Sequence, residues 1–556
     1  MPRKNEGGGS SASAAAALGA GFLALAWAIR PLGEFPLNDD YAYAWSVRQL
    51  LSGAGFRISE VASPSSLIHV LWGALFARAA GPSDQVLRLS GAIMGCLAVL
   101  AFFFLLRRAL GLDARKSLLG AALLLVNPIF LAMCFSFHTD TTFLALMLAA
   151  CGFYLAALSK PGRREELWGG ALFAQLAVLT RQFGVLTALG AGAALLRRRR
   201  WLEALVAFVP PALALAAFEF WFRRQGGNWA AETQNILLAA RLARPLTVLD
   251  EGLLRAAGIF CTLGLFLSPL ALGFAERKLL RLPARREILP LGAAAALSAY
   301  AVLRWGALPY LENTLSRRGL GVVSLWAPEA KAAGFLGSVP FWIFLTVVGF
   351  ASAFILLRVC LETSDDDGAR KNLSWIFIPQ AIPLLLMPVA YDRYLLPLLP
   401  GAAAYCLLAA RARKLRPRAA AAGALALALF SAAGLRDYFA WHRAASELAQ
   451  RAVAAGVPRA AVENGFDWDA ENKYPDAMAS LLARKPRAEI GTWEWMTVNR
   501  TLALTSFDPK PPQGLTPVDR ASYWSPLTFR EEFVYLHALT RRSASGMNGN
   551  SSREEF

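Results

Sequence analysis

Charge is scarce in this sequence. Of its 556 residues only 17% are Asp, Glu, Lys or Arg, where a soluble protein would carry about a quarter. Acid is scarcer than base, with 39 Asp and Glu against 57 Lys and Arg. Cysteine is scarce too. Cys96, Cys134, Cys151, Cys261, Cys360 and Cys406 all lie in or at the ends of apolar runs. None falls in the polar C-terminal part, so that part is not stapled by disulfides, and no CxxC spacing points to zinc. The four histidines form no HExxH pattern.

Apolar residues are abundant, at 56% of the chain, and the mean hydropathy is +0.41. Long apolar runs recur from residue 11 to residue 435, which predicts an all-α polytopic membrane protein. Residues 437–540 are polar and mixed and read as a small soluble α/β domain, helix-like over 442–456, whose aromatics, Trp468, Trp493, Trp495 and Trp524, read as core side chains rather than sugar platforms. Residues 1–10 read as a flexible end, and the Ser/Gly/Asn-rich residues 541–556 as a disordered tail. Ser11 to Ile29 is long enough to span, and Arg3 and Lys4 before it favour an inside N-terminus.

About thirteen spans are expected, near 11–30, 86–106, 117–135, 140–158, 167–180, 183–196, 201–222, 255–275, 287–304, 338–358, 373–390, 394–410 and 418–435. Ser66 to Ala80 is apolar but short, and is read as a helix at the interface within the outer loop 31–85. With that choice six basic clusters share one side: Arg107/Arg108/Arg115/Lys116, Lys160/Arg163/Arg164, Arg197 to Arg200, Arg277/Lys278/Arg281/Arg285/Arg286, Arg370/Lys371, and Arg411/Arg413/Lys414/Arg416/Arg418. The formal net charge of +18 is therefore topological, following the positive-inside rule, and does not indicate nucleic-acid binding. The acidic run Asp365 to Asp367 reads as a solvated inside loop, and Trp229, Trp305 and Trp326 as an interfacial belt.

The other face carries Asp39, Asp40, His69, Arg88, His138, Asp140, Arg181, Glu219, Asp392 and Arg393. Ionisable groups at a membrane boundary are functional candidates, because placing them near hydrocarbon is costly. A transporter would set such groups along a path through the midplane; here they crowd one rim, where a lipid head group meets a soluble acceptor.

Five stretches on this rim carry a resemblance: Asn38-Asp39-Asp40-Tyr41, Leu87-Arg88-Leu89-Ser90, Ser136-Phe137-His138-Thr139-Asp140, Thr180-Arg181-Gln182-Phe183, and Asp392-Arg393-Tyr394-Leu395-Leu396-Pro397. In order, spacing and topology the chain resembles the GT-C glycosyltransferase superfamily over roughly residues 12–435. It is most similar to the branch of the protein mannosyltransferases, the lipid A aminoarabinose transferases and the bacterial transferases that add sugars to lipopolysaccharide cores.

The resemblance implies transfer of a sugar from a polyprenyl-phosphate carrier to an acceptor hydroxyl on the outer, periplasmic face of the inner membrane, with inversion. The acceptor would be a glycolipid, a glycan or a protein. A carboxylate must take the acceptor proton, and Asp39 and Asp40 are the candidates; as neighbours they repel, which can raise one pKa. Either could instead cap the helix starting near Tyr41. Arg393, Arg181 and Arg88 suit the leaving phosphate, unless they only snorkel to lipid head groups. Asp140 is a second acid, alternatively placed for the helix N-terminus. His138, Asp392 and Tyr394 are auxiliary candidates. No metal ligand set is defined and no cofactor is expected, although a divalent cation is compatible with the acids. Two other readings are a GT-C relative of the polymerase or ligase type with a diphosphate-linked donor, and a polytopic lipid or sugar transporter.

Overall fold

The computed structural model describes residues 8–62, 65–276, 281–363, 368–486, 489–491, 494–498 and 501–539. Arg277/Lys278, the run Asp365–Asp367, Trp493, residues 1–7 and the expected disordered tail lie outside the described residues.

The chain opens with α1 (Gly8–Ile29), then two short helices within the stretch 31–85, α2 (Asp40–Leu51) and α3 (Leu67–Ala80). The bundle continues through α4 (Asp84–Phe104), α5 (Ala114–Leu125), α6 (Pro128–Cys134), α7 (Thr139–Ser159), α8 (Arg164–Val178), α9 (Val185–Leu196) and α10 (Trp201–Arg224). Then come α11 (Trp229–Leu242), α12 (Pro245–Phe266), α13 (Ser268–Phe274) and α14 (Arg285–Trp305). A small hairpin, β1 (Leu315–Ser316) and β2 (Gly319–Leu320), precedes α15 (Val339–Glu362), α16 (Gly368–Phe377), α17 (Ile382–Leu386), α18 (Leu398–Ala409) and α19 (Pro417–Ala454). The C-terminal part holds β3 (Val462–Glu463), α20 (Gly465–Asn472), α21 (Tyr474–Leu482), β4 (Ala503–Ser506), β5 (Thr516–Ser525) and β6 (Arg530–Ala538).

All thirteen expected spans fall on helical segments. Among the described residues seven helices are long and apolar enough to cross a membrane alone: those at α1, α4, α7, α10, α14, α15 and α19. The pairs α5–α6 and α12–α13, bent by 67° and 63°, bring the number to nine. Both bends fall where a proline, Pro128 or Pro269, stands in the first turn of the second helix; its ring removes a backbone donor, and at the first bend the preceding residue, Asn127, is pushed to extended geometry. Asn127 steadies the first break by capping the Phe130 amide at 3.0 Å. The other four segments are shorter: α8 has 15 residues, α9 and α18 have 12 each, and the α16–α17 stretch is interrupted by Pro379 and Pro383.

The segment near 418–435 and the helix expected over 442–456 are one helix. With 38 residues α19 is about 57 Å long at 1.5 Å per residue, so it leaves the bundle and continues into the C-terminal region. There β5 and β6 lie against it, in a four-stranded sheet of order β3-β4-β6-β5 whose only parallel pair is β3 with β4. The tail aromatics divide. Trp468 and Trp495 are buried, whereas Trp524 is exposed, a correction to its expected place in the core. It sits on β5, the edge strand, where side chains alternate between faces.

Burial is organised in two main clusters. One runs from α1 through the bundle to the sheet. The other joins α2 (Tyr41, Tyr43, Val47), α3 and Phe137 to α20 and α21 (Ala470, Met478, Leu481) and Trp495. The C-terminal region thus packs over the stretch 31–85 that carries the acidic pair.

Candidate active site

Asn38 takes the left-handed backbone conformation, φ 52°, which Asn tolerates better than most residues. The turn it makes aims Asp39 and Asp40 differently. Asp39 stands at the cap position of α2 but makes no side-chain capping bond, which removes the capping alternative. Its carboxylate accepts from Arg393 Nη2 at 3.0 Å, with 33% of the side chain exposed. Asp40 is buried under Phe137 and Tyr41. Burial holds its carboxyl well above the usual range, against a lowering bond from the Phe137 backbone and the charge of Arg88.

Arg393 ties three stretches together. It binds Asp39 in the turn before α2, and its Nη1 donates to His138 Nδ1 at 3.1 Å. That bond fixes the histidine proton on Nε2, which faces Asp40 Oδ1 at 3.5 Å, within ion-pair range but too poorly aligned to satisfy that buried oxygen. Asp140 Oδ2 is 3.8 Å from His138 Nδ1. Burial, then the Arg393 charge, pushes the His138 pKa down to about 4. His138 is neutral at physiological pH, and its approach to Asp40 is not an ion pair between charges.

Asp140, in the first turn of α7, accepts from Arg181 Nη1 at 2.5 Å. The Arg181 guanidinium lies 5.5 Å from the Tyr394 ring centroid, and that of Arg393 lies 5.3 Å from Tyr391 and 5.9 Å from Tyr394. The side chains of Arg181 and Arg393 are only 11% and 9% exposed, so neither snorkels to a lipid surface. The loop bearing Arg181 is fixed by bonds from Ser65 Oγ to the Val178 carbonyl (2.6 Å) and from the Ser66 amide to the Thr180 carbonyl (3.1 Å).

Two candidates lie apart from this cluster. Arg88 donates to the carbonyls of Pro31 (2.9 Å), Gly33 (2.9 Å) and Phe35 (2.6 Å) and stacks on Phe35; it holds the backbone that leads into the acidic pair. Asp392 accepts from the amides of Thr314 (3.0 Å) and Leu315 (2.6 Å). It anchors the hairpin loop and does not hold Arg393. Burial raises its pKa to about 6.

His69 belongs with the site although the sequence marked it only as a rim residue. Its Nδ1 meets Thr142 Oγ1 at 2.9 Å and its Nε2 the Phe137 carbonyl at 3.2 Å. It braces the turn that presents His138 and Asp140. Tyr43, in edge contact with both His69 and His138, was also missed, since a tyrosine on an amphipathic helix carries no signal of its own. Among the described residues no group of three or more His, Cys, Asp or Glu side chains is arranged to hold a metal ion.

A cavity of about 450 Å³ opens beside Arg181 and Tyr394, walled by the C-terminal end of α10 and the start of α11. A smaller, mostly apolar recess on Arg181 and Tyr394 is lined by Phe143, Phe183, Pro383 and Leu396.

A rim of acids and guanidiniums on a multi-pass helical bundle is the setting in which the known relatives enter. Residues 67–222 match the family described as dolichyl-phosphate-mannose-protein mannosyltransferase. The match spans Arg88, His138, Asp140 and Arg181, and bears out the resemblance to the GT-C glycosyltransferases in their protein-mannosyltransferase branch. No curated protein matches this sequence significantly. Among solved structures the chain is similar to ArnT from Cupriavidus metallidurans in the apo state, at 15% identity, covering 82% of this chain and 84% of that one with a TM-score of 0.35. The same protein bound to undecaprenyl phosphate matches at 14% identity, with 82% and 83% coverage and a TM-score of 0.35. The oligosaccharyltransferase AglB from Archaeoglobus fulgidus, in complex with an inhibitory peptide and a dolichol-phosphate, matches at 14% identity over 87% of this chain and 60% of that one, with a TM-score of 0.36.

Proposed function

We propose that this chain is an inverting glycosyltransferase of the plasma membrane, moving a sugar from a polyprenyl-phosphate carrier to an acceptor hydroxyl on the outer face. In this reading thirteen segments cross or enter the membrane, residues 437–540 act as an outer domain, and the acceptor is a glycolipid, glycan or protein. The observation that carries the reading is the convergence of Asp39, Asp140, Arg181 and Arg393, from four separate loops, on one buried rim beside an open cavity.

Asp39 is the base. It is the acid with an exposed face, whereas Asp40 is buried and biased toward its neutral form. In the resting site Asp39 and Asp140 neutralise Arg393 and Arg181. An arriving lipid phosphate competes for these guanidinium forks and frees the Asp39 carboxylate. The acceptor oxygen then attacks the anomeric carbon, and its proton passes to Asp39. The bond from that carbon to the phosphate oxygen breaks, and its electron pair leaves on the phosphate, stabilised by Arg393 and Arg181. Asp140 keeps Arg181 aimed, and Asp40 and His138 set the walls.

The test is release of carrier lipid by purified protein given a panel of polyprenyl-phosphate sugars and acceptors. Asp39→Asn is expected to lower release by about 10²–10⁴-fold, the usual weight of a general base, with folding intact. Release indifferent to Asp39→Asn and Arg393→Ala would place the chemistry elsewhere.

A further inference from the structure

The cavity beside Arg181 is walled by polar groups that the protein itself does not use. Glu219 and Arg223 lie one turn apart on α10, yet form no ion pair; Glu232, Gln234 and Asn235 face them from α11. None of these five side chains has a hydrogen bond or ion pair among the described residues. Glu219 is costly where it is, because it stands one turn inside the end of α10, a helix long and apolar enough to cross a membrane. Glu219 and Glu232 offset Arg181 and Arg223, so the wall carries no excess positive charge that would call for a second phosphate. Carboxylates and amides together suit vicinal hydroxyls, accepting from some and donating to others.

The wall is also fixed in place. Asn228 donates to the carbonyls of Ser59 (2.9 Å) and Ala62 (2.6 Å) and caps α11 through the Ala231 amide. The Ala230 amide reaches the Glu60 carbonyl at 3.0 Å. The start of α11 is thereby tied to the same outer loop that carries Asp39.

We infer that this cavity binds the sugar of the lipid-linked donor, a polyhydroxylated glycosyl group, with Glu219 as its specificity-determining residue. The inference rests on the transferase reading above. A sugar esterified to a phosphate held by Arg181 lies one bond away from it, and the cavity is the polar space contiguous with that guanidinium. The apolar recess on Phe143, Phe183 and Pro383 shares Arg181 and Tyr394 and lies against the other part of the same donor, the start of its prenyl chain.

The experiment measures affinity of the full-length protein in detergent for undecaprenyl phosphate and for a set of hexosyl and pentosyl undecaprenyl phosphates. Wild type is compared with Glu219→Gln, Glu219→Ala and the pair Gln234→Ala/Asn235→Ala. The expected result is a glycosyl ester bound more tightly than the bare lipid phosphate, a preference that falls about tenfold in Glu219→Ala, as for hydrogen bonds to a charged group. Affinity for bare undecaprenyl phosphate stays unchanged in all variants, which also shows that they fold. Glycosyl esters bound no better than the bare phosphate, or a preference untouched by every variant, would overturn the inference. The transferase reading fails separately, through Arg393→Ala leaving bare-phosphate affinity unchanged together with no carrier release from any donor.

Discussion

Asp39 and Asp40 are neighbours in sequence and opposites in environment. One faces Arg393 and solvent, while the other is sealed beneath Phe137. The sign for Asp40 follows from its raised folded pKa. The folded state holds its proton more tightly than the unfolded chain, so stability declines as pH rises from the model-peptide value toward the folded one. Asp40→Asn removes that penalty and is expected to leave the midpoint of thermal unfolding unchanged or raised at neutral pH, with far less loss of carrier release than Asp39→Asn. His138 runs the other way in charge. Its pKa falls to about 4, so the unfolded chain binds its proton first and stability is lost as pH drops from about 6.5 to about 4, by on the order of 3 kcal/mol. A pH series of unfolding midpoints checks this: His138→Gln should flatten that window in part, leaving the contribution of His69, which burial holds at about 3.

At the scale of elements, the site depends on how closely α4 approaches the turn before α7. A Cβ at Gly91 would meet the Ser136 carbonyl at 2.4 Å, and backbone cannot yield there as a flexible side chain would. Gly91→Ala is expected to displace the turn bearing His138 and Asp140, lowering both the unfolding midpoint and carrier release. Arg88, on the same helix, is the element's other lever. Arg88→Leu leaves the Pro31, Gly33 and Phe35 carbonyls unpaired, at about 1–3 kcal/mol for the buried Phe35 carbonyl and less for the two part-buried ones. The folded fraction should still bind undecaprenyl phosphate as wild type does; a selective loss of that binding would instead assign Arg88 to the phosphate.

Across the whole molecule, the C-terminal region is joined to the bundle by buried charge. Lys331 Nζ, from the loop after the hairpin, meets Asp437 Oδ2 on α19 at 2.7 Å, and Asp437 also accepts from Ser525 on β5. Both members of the ion pair are fully enclosed. Removing one leaves an uncompensated charge, so Lys331→Met is expected to destabilise by about 3–5 kcal/mol, whereas Lys331→Met/Asp437→Leu recovers much of the loss. A double-mutant cycle on thermal unfolding measures the coupling. Because α2 is covered by α20 and α21, loosening this junction should also reduce carrier release.

The sequence by itself determined the class. Apolar runs, sparse charge and the one-sided basic loops marked a polytopic helical protein, because hydrocarbon tolerates little else, and the rim acids and arginines stood out against that background. Positions such as Asp39, Asp140, Arg181 and Arg393 were legible for the same reason: a charge at a boundary is rare and costly. What only the tertiary structure decided was pairing and exposure. That Asp39 meets Arg393 and keeps an exposed edge while Asp40 is buried depends on one left-handed residue, Asn38, and on the α20–α21 roof hundreds of residues away. Arg88 and Arg393 look alike in sequence, yet one closes on three backbone carbonyls and the other bridges three loops. Such partners are set by long-range packing, and local composition holds no record of which distant groups a guanidinium will meet.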